Sequence, residues 1–115
     1  MPTTPVSESL FRLGLNDALP VSEEATTSRV VVNNDVLRTV VFTFDAGQQL
    51  TEHASPKAVV CTLLEGEMEF TVSGETNTLA AGDVVYLAPG ARHALTAITP
   101  CRLQLVMVEV ASEDA

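Results

Sequence analysis

The chain has 115 residues, of which 46% are hydrophobic, with four phenylalanines, one tyrosine and no tryptophan. That size accommodates one domain with a single, mainly aliphatic core. Fifteen acidic residues against six basic ones give a net charge of −9, which opposes binding to nucleic acid and to anionic membrane surfaces because both require a basic face.

The start of the chain reads Met1-Pro2-Thr3-Thr4-Pro5, without a basic segment followed by an apolar one, so we expect no secretory signal. No run approaches the roughly 20 apolar residues of a membrane span. We therefore expect a cytoplasmic protein in which Cys61 and Cys101 are reduced thiols, with a disulfide as the alternative. No role is predicted for Cys101.

Residues 1–28 form a segment of mixed character. Leu10, Phe11 and Leu13 predict a short helix or an extended apolar arm, and residues 16–28, which contain a proline, predict a loop. Apolar side chains on an arm need a surface to cover them. We therefore expect the arm to pack on its own domain or on a second copy of the chain, in a homodimer.

From residue 29 onward the pattern is typical of β-structure. Residues 36–44 alternate, with Val40, Phe42 and Phe44 on one face, and residues 67–72 alternate around Met68 and Phe70, which we predict to be core. Further strands are predicted at 30–32, 57–64, 76–79, 84–87, 94–98 and 102–110. Short strands at this spacing, separated by turn residues, indicate an all-β sandwich or barrel.

Two stretches of the β region share an arrangement of glycines around a histidine: Gly47, His53 and Gly66 in the first, and Gly82, Gly90 and His93 in the second. With these motifs the chain resembles the cupin family over roughly residues 40–108. The resemblance implies a single-domain, RmlC-like cupin jelly-roll β-barrel at 29–115, preceded by the arm or helix at 1–28.

The resemblance also implies where a metal would bind. Metal sites of the family use three histidines and a glutamate, and this chain keeps His53 and His93, whereas Ser55 and Val59 stand at the other two positions. Glu52, beside His53, should point to the opposite face of a regular strand. The barrel would thus hold one divalent ion (Fe, Mn, Zn, Ni or Cu) through two histidines, or none.

Strand alternation offers further donors for such an ion. If residues 49–61 formed one regular strand, Gln49, Ser55 and Cys61 would share a face with His53, although a bulge would change this parity. A thiolate is a good ligand for zinc and an amide oxygen a poor one. Cys61 and Gln49 are therefore additional candidate ligands.

Ser55, Val59, Cys61 and Tyr86 are predicted to line a pocket around the histidines. One hypothesis is a divalent-metal-dependent dioxygenase or isomerase acting on a small oxygenated substrate. The alternative is a metal-free barrel that binds a small organic ligand as a sensor, carrier or accessory protein. The sequence leaves open whether the protein is an enzyme, and in both cases the expected partner is a small molecule, not nucleic acid or membrane.

Overall fold

A computed structural model describes residues 4–110 of the chain, so residues 1–3 and 111–115 of the predicted arm and barrel lie outside the described part. Within it, no helix has the length and hydrophobicity that a membrane crossing requires. The elements in chain order are α1 (Leu15–Ala18), β1 (Thr26–Asn33), β2 (Leu37–Phe44), β3 (Gln49–His53), β4 (Ala58–Glu65), β5 (Glu67–Val72), β6 (Glu75–Ala80), β7 (Val84–Leu87), β8 (His93–Ala97) and β9 (Cys101–Val108).

The strands form two sheets. One has five strands in the order β1-β2-β9-β4-β7, and the other has four in the order β3-β8-β5-β6. All neighbouring strands pair antiparallel. This arrangement confirms the predicted all-β jelly roll. In it, β6 and β7 follow each other in the chain but are edge strands of different sheets.

The core lies between the two sheets and follows the predicted alternation. The rings of Phe42 and Phe44 stack with centroids 5.8 Å apart, and Met68 and Phe70 are buried as predicted. Because each strand places alternate side chains on one face, the inward positions of both sheets merge into one apolar cluster. Its buried members are Phe44, Val59, Cys61, Leu63, Met68, Phe70, Leu79, Leu87, Leu95, Ala97, Cys101 and Leu103.

The turn between β4 and β5 packs tightly against the start of β9. Gly66 has a φ of 90°, and a Cβ atom there would collide with the carbonyl of Pro100 and would lie 2.8 Å from Cys101 Sγ. The Cys101 thiol donates a hydrogen bond to the carbonyl of Glu67 at 3.0 Å. Since no side chain fits this turn, we call this region the closed end of the barrel.

The N-terminal segment runs as an arm rather than as a helix around Leu10–Leu13. Phe11 and Leu13 are 86% and 82% exposed, and the arm is attached where Arg12 Nε donates to the carbonyl of Val31 at 3.0 Å. The predicted loop at 16–28 is shorter than expected, because α1 occupies its start and β1 begins at Thr26. Within the chain itself, the apolar arm is left largely uncovered.

A buried arginine joins α1 to the five-stranded sheet. Arg102 on β9 is only 4% exposed, and its guanidinium donates to the carbonyls of Leu19 at 3.0 Å and Asn16 at 3.4 Å. Its Nε has no hydrogen-bond partner in the described part of the chain and lies 3.6 Å from a carboxylate oxygen of Glu65. A buried charge without compensation is costly, so these contacts tie the arm to the barrel.

Candidate functional site

The two motif histidines meet on neighbouring strands of the four-stranded sheet. His53 ends β3 and pairs with His93 at the start of β8. Their ring centroids are 4.1 Å apart, with the rings inclined at 58°. His93 is buried at 6% exposure and His53 is exposed, so the pair lies at the rim of the barrel, which we call the open end.

A bulge decides which residues of β3 face inward with His53. Leu50 pairs with Leu95 of the core, and the register then shifts before the next pair, His53 with His93. The extra residue inverts the alternation beyond this point. Gln49, which precedes the bulge, pairs with Thr96 and is exposed. The prediction that Gln49 shares a face with His53 is therefore wrong.

Backbone carbonyls orient both imidazoles in the same way. Nδ1 of His53 lies 2.8 Å from the carbonyl of Thr51, and Nδ1 of His93 lies 3.1 Å from the carbonyl of Ala91. A carbonyl only accepts, so the ring nitrogen facing it must carry the proton. In a neutral ring the Nε2 atom then keeps its lone pair, and each histidine presents an acceptor.

Burial keeps His93 in the neutral form. Desolvation lowers the pKa of His93 below its ordinary value, the hydrogen bond to Ala91 raises it, and the nearby His53 lowers it. Burial is the largest of these effects because it disfavours the charged ring. His93 is therefore an uncharged acceptor near neutral pH.

Glu52 lies away from the histidine pair, as strand alternation predicts. Its carboxylate accepts a hydrogen bond from Arg92 Nε at 2.9 Å and lies 2.8 Å from Arg92 Nη2. Both side chains are more than half exposed, so this ion pair contributes at most about 1 kcal/mol to stability. The pair joins β3 to the residue just before β8, on the outer surface.

The donor set does not fit the four-ligand metal site that the family resemblance implies. No group of three histidine, cysteine, aspartate or glutamate residues that could hold an ion exists within residues 4–110. Cys61 lies in the core at 1% exposure, and burial raises the pKa of its thiol to about 12, which disfavours the thiolate that a metal needs. The predicted set of His53, His93 and Cys61 is not formed.

The structure places the predicted pocket residues in different elements. Val59 is buried in the core opposite Leu87. Ser55 lies half-buried in the loop after β3, where its carbonyl accepts a hydrogen bond from the backbone N–H of Gly90 at 2.7 Å. Tyr86 lines a cavity, but Ser55, Val59 and Cys61 do not. One regular strand over residues 49–61 would have placed Ser55, Val59 and Cys61 on one face. Instead, β3 ends at His53 and β4 begins at Ala58.

The cavity that Tyr86 lines has a volume of about 600 Å³ and lies between β6 and β7, with β5 behind it. Glu75 and Asp83 line it, and sequence reasoning did not single them out. The pairing of Val72 with both His93 and Glu75 places His93 and Glu75 in one row across the sheet. The hairpin turn at residues 73–74 pairs Val72 with Glu75, so this part of the row could have been predicted from the sequence.

The cavity and the histidine pair are neighbours that share one wall. Phe70 lines the cavity, and its ring stacks on His93 with centroids 6.2 Å apart and an angle of 14°. Neither histidine lines the cavity itself. The four-stranded sheet therefore carries two adjacent features, a pair of acceptors at the open end and a cavity with two carboxylates at its edge.

Comparison with solved structures supports the fold. A protein of unknown function from Streptococcus pyogenes is 29% identical, with a TM-score of 0.81 over 97% of this chain and 98% of that one. A cupin superfamily protein from Desulfitobacterium hafniense DCB-2 is 18% identical, with a TM-score of 0.79 over 93% and 95%. An RmlC-like cupin from Shewanella frigidimarina NCIMB 400 is 24% identical, with a TM-score of 0.76 over 93% and 96%.

Sequence comparison identifies the family. No protein with a curated function matches the chain. Residues 40–109 match the family described as Cupin domain, and this range contains both glycine–histidine motifs, with His53 and His93. The match covers more than half of the sequence and agrees with the structural neighbours. The chain therefore belongs to the cupin family.

Proposed function

We propose that the protein binds a small organic molecule at the His53–His93 pair and does so without a resident metal ion. The observation that carries the proposal is the matched geometry of the two rings, each with Nδ1 on a backbone carbonyl and Nε2 left as an acceptor. Such a pair accepts hydrogen bonds from hydroxyl or N–H groups of a ligand. The net charge of −9 supports a small molecule over nucleic acid as partner.

The number of donors favours the metal-free function over a metalloenzyme. Protein sites that hold a catalytic ion usually supply three ligands and leave one position for water or substrate. Here Ser55 and Val59 stand where the family has its other two ligands, and Val59 offers no donor atom. A divalent ion would have to take most of its ligands from water.

Two titrations of untagged protein test this proposal. Phenol and catechol are the probes, because their hydroxyl groups donate hydrogen bonds. Binding is monitored through the side-chain NMR signals of the histidines. We expect both rings to shift in a saturable manner, and we expect His93→Ala to abolish the effect on His53. The absence of any shift would contradict ligand binding at the pair.

The metal part of the proposal is tested by elemental analysis and by titration with Fe, Mn, Zn, Ni and Cu ions. We expect no stoichiometric metal after purification. One ion per chain that is lost in both His53→Ala and His93→Ala would instead establish a metalloprotein. Arg92→Ala, which alters the exposed position just before His93, is the control.

One observation favours the second candidate, a metal-dependent dioxygenase or isomerase. Histidines that ligate metals usually donate their other ring N–H to a carbonyl or carboxylate, and both His53 and His93 do so. A bound divalent ion would supply Lewis acidity toward a substrate oxygen. The two histidines would hold it, and the rest of the coordination would fall to solvent or substrate. The metal titration decides between the candidates.

We also infer a homodimer in a reducing compartment, such as the cytoplasm. Phe11 and Leu13 on the arm are almost fully exposed, and Val60 and Leu64 on the outer face of β4 are 37% and 40% exposed. In a two-fold assembly each arm could cover apolar surface of the other copy. Both cysteines are free thiols, which supports a reducing environment.

Sedimentation analysis tests the dimer. We expect the wild-type protein to sediment as a dimer, and Phe11→Ser to shift it toward monomer because an apolar contact is lost. Val6→Ser, which removes another exposed apolar residue of the arm, is the comparison. A wild-type protein that stays monomeric at high micromolar concentration would contradict the inference.

A further inference from the structure

We propose that the cavity between β6 and β7 is a second binding site, separate from the histidine pair, and that it takes an aliphatic amine, with the alkyl chain on the apolar wall and the ammonium group at the acidic rim. This site goes beyond the proposed function, since neither histidine lines it. It is built from parts of both sheets that come together only in the folded barrel.

The size and wall of the cavity suit a small organic molecule. Its volume of about 600 Å³ lies within the roughly 300–1,000 Å³ of typical ligand sites. Phe70 and Leu79 on one side are buried, at 3% and 7% exposure, and Val85 on β7 is half-buried opposite them. These side chains offer an apolar surface to an alkyl chain but no polar group.

The charged groups of the cavity are all carboxylates. Glu75 and Asp83 line it, and no lysine, arginine or histidine does. Glu75 Oε2 accepts a hydrogen bond from Asn77 at 3.1 Å, and Asp83 Oδ2 accepts one from the backbone N–H of Ala80 at 2.8 Å. These bonds hold the carboxylates in place, and the second oxygen of each has no partner among residues 4–110.

An aromatic ring adds to the attraction for a cation. Tyr86 lines the same cavity and is 61% exposed, and its hydroxyl makes no hydrogen bond within the described chain. A tyrosine face attracts ammonium groups, and a free hydroxyl accepts from an N–H donor. In a protein of net charge −9, an acidic rim of this kind repels carboxylate and phosphate ligands. The combination therefore selects a ligand with a positive head and an apolar body.

Calorimetric titration of the full chain at about 150 mM salt tests the proposal. The probes are butylamine and 1,4-diaminobutane, with succinate as a ligand of similar length and opposite charge. We expect saturable binding of the amines at one site per chain and none of succinate. Glu75→Gln should weaken amine binding by about tenfold, and Glu75→Lys should abolish it.

Glu69→Gln is the matched control. It makes the same charge change on the same sheet, but Glu69 lies on β5 one residue before the cavity-lining Phe70 and so on the opposite face. Equal weakening in Glu69→Gln and Glu75→Gln would show general attraction to an acidic protein and would overturn the proposal. Undetectable amine binding, or succinate binding as tight as that of the amines, would also overturn it.

His93→Ala distinguishes the two sites. We expect this variant to lose the response to phenol and catechol but to keep amine binding within about twofold. If His93→Ala loses amine binding while its unfolding temperature equals that of the control Glu69→Gln, the loss does not come from unfolding. That result would contradict a separate site. Conversely, a protein that binds amines but no hydroxyl probe would contradict only the proposed function at the histidine pair.

Discussion

At the closed end of the barrel, Gly66 and Cys101 leave no space for an additional atom, whereas at the open end the Nε2 atoms of His53 and His93 have no partner among residues 4–110. The same two strands, β5 and β8, run from one end to the other. The closed end satisfies its polar groups internally, for example through the Cys101 thiol. This barrel therefore concentrates its packing constraints at one end and its unused hydrogen-bonding capacity at the other.

The largest expected effect comes from filling the closed end. Gly66→Ala places a methyl group against the backbone of Pro100 in a residue with positive φ, so it combines backbone strain with overpacking. We expect a loss of about 3 kcal/mol or more in the free energy of unfolding. Denaturant unfolding measures it, and Gly66→Val should be worse still.

Gly74→Ala is the control for the first prediction. Gly74 also has positive φ, at 86°, but a Cβ there would meet nothing within 4 Å. We expect it to cost only the backbone strain, about 1 kcal/mol. Equal losses in Gly66→Ala and Gly74→Ala would show that packing at the closed end is not the source of the effect.

The second prediction restores a donor at the open end. Ser55 stands at the family position of a histidine ligand, and its carbonyl contacts the N–H of Gly90 in the second motif. We expect Ser55→His to raise the affinity for Zn²⁺ by about tenfold, which equals about 1.4 kcal/mol, because a third imidazole joins His53 and His93. Competition with a chromogenic chelator measures the change.

Two variants control the second prediction. Ala54→His adds a histidine at the neighbouring exposed position and should leave the Zn²⁺ affinity near that of the wild type. Ser55→His combined with His93→Ala should lose the gain. If Ala54→His binds Zn²⁺ as tightly as Ser55→His, the loop does not direct position 55 toward the pair.

The smallest expected effect is the pH dependence of stability at the open end. Burial lowers the pKa of His93 below the ordinary value of 6.5, so near that pH the unfolded chain binds more protons than the folded one. Stability from His93 is therefore complete above pH 6.5 and decreases as the pH falls toward the folded pKa.

Thermal unfolding between about pH 7.5 and pH 5 checks this direction. We expect the unfolding temperature of the wild type to decrease more steeply with acidification than that of His93→Gln, which has no group to protonate there. A steeper decrease in the variant would mean that protonation of His93 stabilises the fold, contrary to its burial.

The strands and turns could be predicted from the sequence because their signals are local. Phe42 and Phe44 lie on either side of Thr43, and Gly66 stands between two runs of β-type residues, so neither inference needs a partner strand. The face on which Gln49 lies is different, because it depends on a bulge that exists only in the pairing of β3 with β8. The alternation of side chains along residues 49–61 does not by itself locate that bulge.

The cavity could not be predicted for a related reason. Glu75 begins β6 and Asp83 lies in the turn that connects β6 to β7, and the space that they line is open because these two strands are edges of different sheets. Tyr86 is predicted to line a pocket around the histidines, yet it lines this cavity, which neither histidine lines. Which edges face each other is a property of the whole topology, and no local pattern records it.

The buried guanidinium of Arg102 has a consequence for shortening the chain. A variant that begins after Leu19 would lack the carbonyls of Asn16 and Leu19 that accept hydrogen bonds from Arg102. The positive charge of Arg102 would then remain on β9 without these partners. A minimal barrel therefore requires a compensating replacement, such as Arg102→Met, for the trimmed protein to remain as stable as the parent. The segment that precedes β1 therefore covers Arg102 and supplies the carbonyl oxygens that stabilise its buried charge.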